Sequence, residues 1–183
     1  MASQEQIKLL EDYKDRALIM SILCSNSSEF FSFIASLVKL PIIISSSVMS
    51  LVNSSSDINV DFMRYVNMTL NIFTALLLSL LTHLKIESKM NNFKIMGTKF
   101  NKLTHLIENL LINDFNEVDG NRIESIINDY DALCEAVEEP FPHHIKKRIC
   151  KKFQGKVLPT ILSSELCYQS NRATPTTTSF NEV

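Results

Sequence analysis

The sequence predicts an all-α protein in which a transmembrane helical hairpin continues into a small cytosolic helical bundle. Two long apolar runs, a short polar connection between them and helical periodicity in the rest of the chain predict this class. We divide the 183 residues into an N-terminal amphipathic helix (1–29), a two-span hairpin (30–84), a cytosolic helical region (85–154) and a flexible C-terminal tail (155–183). The net charge of -2 gives no case for nucleic-acid binding.

The two apolar runs have the length of membrane spans. Residues 31–52 contain 14 apolar residues out of 22, and residues 66–84 contain 12 out of 19. A bilayer-spanning helix needs about 20 such residues. The segment 53–61 is polar and turn-forming, and it is too short for anything but an antiparallel hairpin. A soluble bundle with two buried central helices is the alternative interpretation of the two runs.

Polar residues in both runs recur at helical spacing, which predicts a polar stripe on each span. Small and hydroxyl-bearing residues gather where membrane helices approach each other. A lysine inside a span is costly, and we expect Lys39 to lean toward the end of the hairpin where the termini lie, near the depth of Thr82. It either satisfies a helix–helix contact or lines an oligomeric pore. The stripe residues are Ser32, Ser36, Lys39, Ser46, Ser50, Asn67, Asn71 and Thr74.

Basic residues near the span ends predict the orientation. Five lysines between Lys85 and Lys102 follow the second run, and Lys14 and Arg16 precede the first, whereas Arg64 alone lies on the loop side. Because cytosolic flanks carry the excess of Lys and Arg, both termini are expected in the cytosol.

Past the second run, helical periodicity continues without an obvious stop, so we expect one helix to rise continuously out of the membrane. Its apolar residues form a heptad-like seam suited to coiled-coil pairing: Phe93, Met96, Phe100, Leu103, Ile107 and Leu110. Asn121 and Glu124 resemble a capping box that opens a further helix.

A short basic segment follows two closely spaced prolines. Pro142 is expected to begin a helix with Ile145, Ile149 and Phe153 on one side. The other side, within residues 146–152, is basic and suggests contact with anionic lipid or an acidic protein. A solvated face is the alternative.

No residue pattern indicates catalysis, a cofactor or a metal. His143 and His144 are adjacent and point in different directions on a helix, while His83 and His105 lack acidic or thiol partners at useful spacing. No phosphate-binding loop or nucleophile motif is present. We therefore expect a protein that is not an enzyme.

The layout resembles the SLATT-type two-transmembrane proteins. The matching motif is Tyr130, Leu133, Pro140 and Pro142, followed by Ile145, and the resemblance covers residues from about 15 to 153. It implies a pore-forming or channel-like effector. Similar-looking proteins also occur in large DNA viruses with internal membranes. The Asn-, Ile- and Lys-rich composition favours such a viral source.

We therefore expect a non-enzymatic integral membrane protein that self-associates and acts as a membrane scaffold or anchor, in a virion or a host internal membrane. The alternative is the SLATT-type pore. Expected partners are the lipid bilayer and further copies of this chain.

Overall fold

The computed structural model contains five long α-helices within the residues that it describes. The structure describes residues 4–53, 60–113, 120–154 and 156–163. The helices are α1 (Gln4–Asn53), α2 (Val60–His83), α3 (Ile86–Asn113), α4 (Gly120–Glu135) and α5 (His143–Lys152). Within these ranges no strand occurs, which confirms the all-α prediction for the described residues. Residues 54–59 of the predicted loop lie outside them.

The chain divides into two compact units. The core unit comprises Met1–Ser25 with Ile95–Val183, and the apolar unit comprises Asn26–Lys94. Helix α1 is 50 residues long and runs unbroken from one unit into the other, so the sequence-based boundary at 29–30 falls inside a helix. Helix α3 likewise contributes to both units.

The expected continuous helix out of the second apolar run is wrong. Helix α2 ends at His83, and Lys85 adopts the left-handed conformation with φ of 49°. The Lys85 N–H donates to the Thr82 carbonyl at 3.2 Å, which is one of the two bonds of a Schellman-type helix end. Side-chain periodicity does not register such an end, because a single left-handed residue leaves the apolar spacing on either side intact.

The heptad-like seam of α3 is covered by the chain itself. In the core unit Phe100 and Ile107 are fully buried and Leu103 and Leu110 nearly so, while Met96 is half-buried. The N-terminal part of α1 also has its apolar residues buried in this unit, namely Leu10, Ala17, Ile19, Met20, Leu23 and Cys24. Each large apolar side chain buried this way contributes about 1.5–3 kcal/mol. The seam therefore stabilises the single chain.

Three aromatic rings link α1, α3 and α4 in the core unit. The Tyr130 ring lies edge-on to Tyr13 with centroids 5.4 Å apart, and edge-on to Phe100 at 6.1 Å. Such T-shaped pairs contribute about 0.5–1.5 kcal/mol beyond their buried area.

Helices α4 and α5 form where the capping-box pattern and Pro142 predict them. Ile123, Ile126 and Tyr130 are the buried face of α4. The helix begins at Gly120, one residue before the proposed cap, so Asn121 lies inside the first turn rather than at its edge. Pro142 is the N-cap of α5, as predicted.

The start of the predicted flexible tail is packed against the core unit. Pro159 and Leu162 are fully buried, and the Cys150 thiol donates to the Leu162 carbonyl at 3.8 Å. The Lys156 ammonium lies 3.1 Å from the Asp15 carboxylate. This part of the tail is packed although a flexible tail was expected. Its apolar residues gain from burial, even though the tail as a whole is rich in Ser and Thr. Gly155 and residues 164–183 lie outside the described residues.

Candidate membrane-spanning surface

Large apolar side chains cover the exterior of α1 between Phe33 and Val48. Six of them are 47–65% exposed: Phe33, Leu37, Leu40, Ile43, Ile44 and Val48. Water-exposed apolar area of this extent is unfavourable, and contiguous patches larger than a few hundred Å² are rare on soluble monomers.

Helix α2 presents an equivalent surface. Six of its large apolar side chains are 49–65% exposed: Met68, Ile72, Phe73, Leu76, Leu78 and Leu80. In the described part of α2 the burial pattern therefore differs from that of α4, whose apolar residues face the protein core.

Among the described residues, two helical stretches are long and apolar enough to cross a membrane. They are Gln4–Ser50, with a mean hydropathy of 1.8 in its most apolar window, and Met63–Ile112, with 1.5. Only 6% and 0% of these windows are buried. A core helix of a soluble protein passes the same length and composition test but is mostly buried, so the exposure favours candidate membrane spans.

Hydroxyl groups within the apolar stretch of α1 are satisfied by their own helix. Ser45, Ser46 and Ser47 each donate to the carbonyl four residues earlier, at 2.7–2.9 Å. The first of these bonds goes to the Pro41 carbonyl. Back-bonding of this kind lowers the cost of placing a hydroxyl in hydrocarbon, because the donor needs no second partner.

The predicted polar stripes lie mostly on the outside of the molecule. On α1 all five stripe residues are exposed, namely Ser32, Ser36, Lys39, Ser46 and Ser50. On α2 the exposed Asn71 amide donates to the Asn67 side chain at 3.1 Å, and Thr74 is half-buried. Asn67 and Asn71 are thus brought together. The α1 stripe, in contrast, is exposed on the surface of the single chain.

Lys39 forms an ion pair with Glu87 in the first turn of α3. The two side chains lie on a cleft of about 380 Å³, whose wall includes Leu78, Leu81 and Thr82. Lys39 and Thr82 therefore line the same cleft. Sequence reasoning missed Glu87, because counting basic residues near span ends gives no weight to acids.

The basic face of α5 is exposed while its apolar face is buried. Ile145 and Ile149 are 5% and 1% exposed. The remaining surface consists mainly of basic side chains: Lys147, Arg148, Lys151 and Lys152 are exposed, and Lys146 is half-buried. The accessible surface of this helix is therefore mainly basic.

The SLATT-like motif lies largely in the interior of the core unit. Tyr130 and Ile145 are buried, Leu133 is half-buried, Pro140 is exposed and Pro142 caps α5. Burial raises the pKa of the Tyr130 hydroxyl, and a hydrogen bond with the Cys134 thiol raises it further. Burial also raises the pKa of Cys134. Tyr130 therefore serves as a neutral packing group in the core unit.

Titratable side chains form no metal site in the described part of the chain, where no group of three or more His, Cys, Asp or Glu residues could hold an ion. The expectation that His105 lacks an acidic partner is wrong, because its Nδ1 lies 3.2 Å from the Glu108 carboxylate. A helix brings residues three positions apart together. This exposed pair supplies two possible metal ligands, and no group of three is found among the described residues.

Comparisons of the whole chain with protein-family models, curated proteins and solved structures find no match. The SLATT resemblance therefore depends on the five motif residues and the two apolar helices alone.

Proposed function

We propose that this chain is a non-enzymatic integral membrane protein whose helices α1 and α2 enter a lipid bilayer, and that it serves as a membrane scaffold or anchor. The observation that carries the proposal is the apolar exterior of both helices, with 6% and 0% of their most apolar windows buried. Acyl chains would cover this surface at no cost in exposed apolar area.

Charge supports placing both termini on the cytosolic side. The residues that follow α2 include Lys85, Lys89 and Lys94, whereas Arg64 is the basic residue near its start. The core unit would then remain in water, which agrees with the exposed basic face of α5.

Self-association would proceed through the apolar unit. The heptad-like seam is already covered by the chain's own helices, so it offers no free surface. The exposed pair Ser46/Ser50 has the small-xxx-small spacing that lets membrane helices approach closely.

Carbonate extraction tests membrane integration. We expect the wild-type chain to stay with membranes at alkaline pH and to be released by detergent. The double variant Ile44→Lys/Leu76→Lys, which places two charges on the exposed apolar surface, should fall largely into the soluble fraction. Ile112→Lys is the matched control, because Ile112 is 76% exposed but lies beyond α2. Release of the wild type by carbonate would overturn the proposal.

A second candidate function is a pore formed by several copies. It is favoured by the exposure of Ser46 and Asn71 on otherwise apolar helices. In this arrangement Ser46 and Asn71 would line the pore, while Lys39 is engaged by Glu87. Dye release from liposomes separates the two functions. A pore predicts leakage that Asn71→Leu reduces, and inserted protein in tight liposomes supports the scaffold.

A further inference from the structure

The first turns of α3 mark a polar level in the apolar unit. Glu87, Ser88, Asn91, Asn92 and Lys94 are all exposed there. Hydrocarbon does not tolerate such a group of exposed polar side chains on one helix. If α2 enters a bilayer, this part of α3 lies outside the hydrocarbon.

Helix α1 is tied to this polar level at the start of its apolar run. The Ser28 hydroxyl donates to the Met90 carbonyl at 3.1 Å. The Phe31 and Phe93 rings stack with their centroids 5.8 Å apart and their planes 6° from parallel. The residues around Phe31, which begin the predicted span, therefore lie beside polar α3 and outside the hydrocarbon.

The Lys39–Glu87 ion pair indicates that α1 stays outside the hydrocarbon as far as Lys39. The two side chains are 51% and 60% exposed, so lipid tails would surround two charges if the pair lay within the hydrocarbon. A lysine stem can instead carry its ammonium to the headgroup layer. Glu87 follows the helix end at Lys85 by two residues, which places the pair next to the point where α2 stops.

The apolar length left to α1 is short. Leu40–Val52 comprises 13 residues, or about 20 Å at about 1.5 Å per residue. The apolar part of α2, residues 66–83, comprises 18 residues, or about 27 Å. A typical hydrocarbon core is about 30 Å thick, and runs of about 10–14 apolar residues are too short to span it.

We infer that the apolar unit fits a bilayer with a hydrocarbon core thinner than the typical one, and that Lys39 with Glu87 sets the depth of α1 in it. The inference rests on the proposed membrane integration. A thin bilayer matches the shorter apolar length, which is that of α1. Helix α2 fits the same thickness by tilting. The preferred partner is therefore a thin, sterol-poor membrane, of the kind found inside cells rather than at the plasma membrane.

Vesicles that differ only in acyl-chain length test this. Full-length protein is mixed with phosphatidylcholine vesicles carrying myristoleoyl, oleoyl or erucoyl chains, and the carbonate-resistant fraction that floats with each is measured. We expect at least about threefold more insertion with myristoleoyl than with erucoyl chains, because mismatch is costly per ångström. Lys39→Leu lengthens the uncharged run and should reduce this preference. Lys99→Leu, the same substitution at an exposed residue of α3 in the core unit, should leave the preference unchanged.

The outcomes separate the two proposals. Failure to insert into any of the three vesicles would overturn membrane integration, and the thickness preference with it. Equal insertion into all three would overturn the thickness preference alone. A preference that survives in Lys39→Leu would show that Lys39 does not set the depth.

Discussion

Gly97 offers the sharpest test of how α1 and α3 pack in the core unit. An added Cβ at this position would lie 3.3 Å from the Cys24 Cβ, 3.5 Å from the Ser21 carbonyl oxygen and 3.6 Å from the Ser25 nitrogen. The Ser21 hydroxyl also donates to the Gly97 carbonyl at 3.0 Å. The glycine lets the two backbones approach.

Replacing Gly97 by valine has two opposing effects on stability. Helix propensity alone favours valine over glycine by a few tenths of a kcal/mol. The two Cγ atoms, however, would enter space that the α1 backbone already occupies, and overpacking of this kind costs about 1–3 kcal/mol. We therefore expect Gly97→Val to destabilise the core unit, and to lower Tm by about 2–4 °C for each kcal/mol in a chain of 183 residues.

The assay is thermal unfolding in mild detergent, followed by circular dichroism. Gly97→Ala is the graded comparison, since one methyl group at 3.3 Å requires a shift of only a few tenths of an ångström and gains about 1 kcal/mol in propensity. Lys99→Val, at an exposed position of the same helix, controls for β-branching. A Gly97→Val protein that melts at or above the wild-type temperature would refute the close approach.

Other substitutions probe the core and the charged surface. Phe100→Ala should cost about 3–5 kcal/mol in the same melt, whereas Ile112→Ala, at a 76% exposed site, should stay within about 0.5 kcal/mol. Breaking the partly exposed Asp15–Lys156 pair by Asp15→Asn should cost no more than about 1 kcal/mol, and a double-mutant cycle with Lys156→Gln at low and high salt would measure it. Neutralising the four exposed basic residues within 147–152 by glutamine should lower co-purification of anionic lipid from mixed nanodiscs, and unchanged lipid content would argue for a solvated face.

Local patterns were sufficient for most of the helices. The capping-box pattern at Asn121 and Glu124 located α4, and Pro142 marked the start of α5. These features depend on residues within one or two turns, so the sequence contains what is needed to predict them. The helix end at Lys85 was missed, because a left-handed lysine has no compositional signature.

Contacts between distant residues could not be predicted in the same way. The partner of Lys39 lies 48 positions further along the chain, at Glu87, and the burial of Leu162 depends on helices formed much earlier. A single sequence specifies which side chains are apolar or charged, but it does not say which of them meet.

The sequence by itself therefore determined that the chain is helical and that two of its segments are apolar enough to cross a membrane, because both properties follow from composition and spacing along one helix. Only the tertiary structure decided that the heptad-like seam is covered from within, that Gly97 lies against α1 and that Lys39 is paired at the end of α2. These depend on how helices distant in sequence pack, and packing is set by the mutual fit of surfaces rather than by the periodicity of either one.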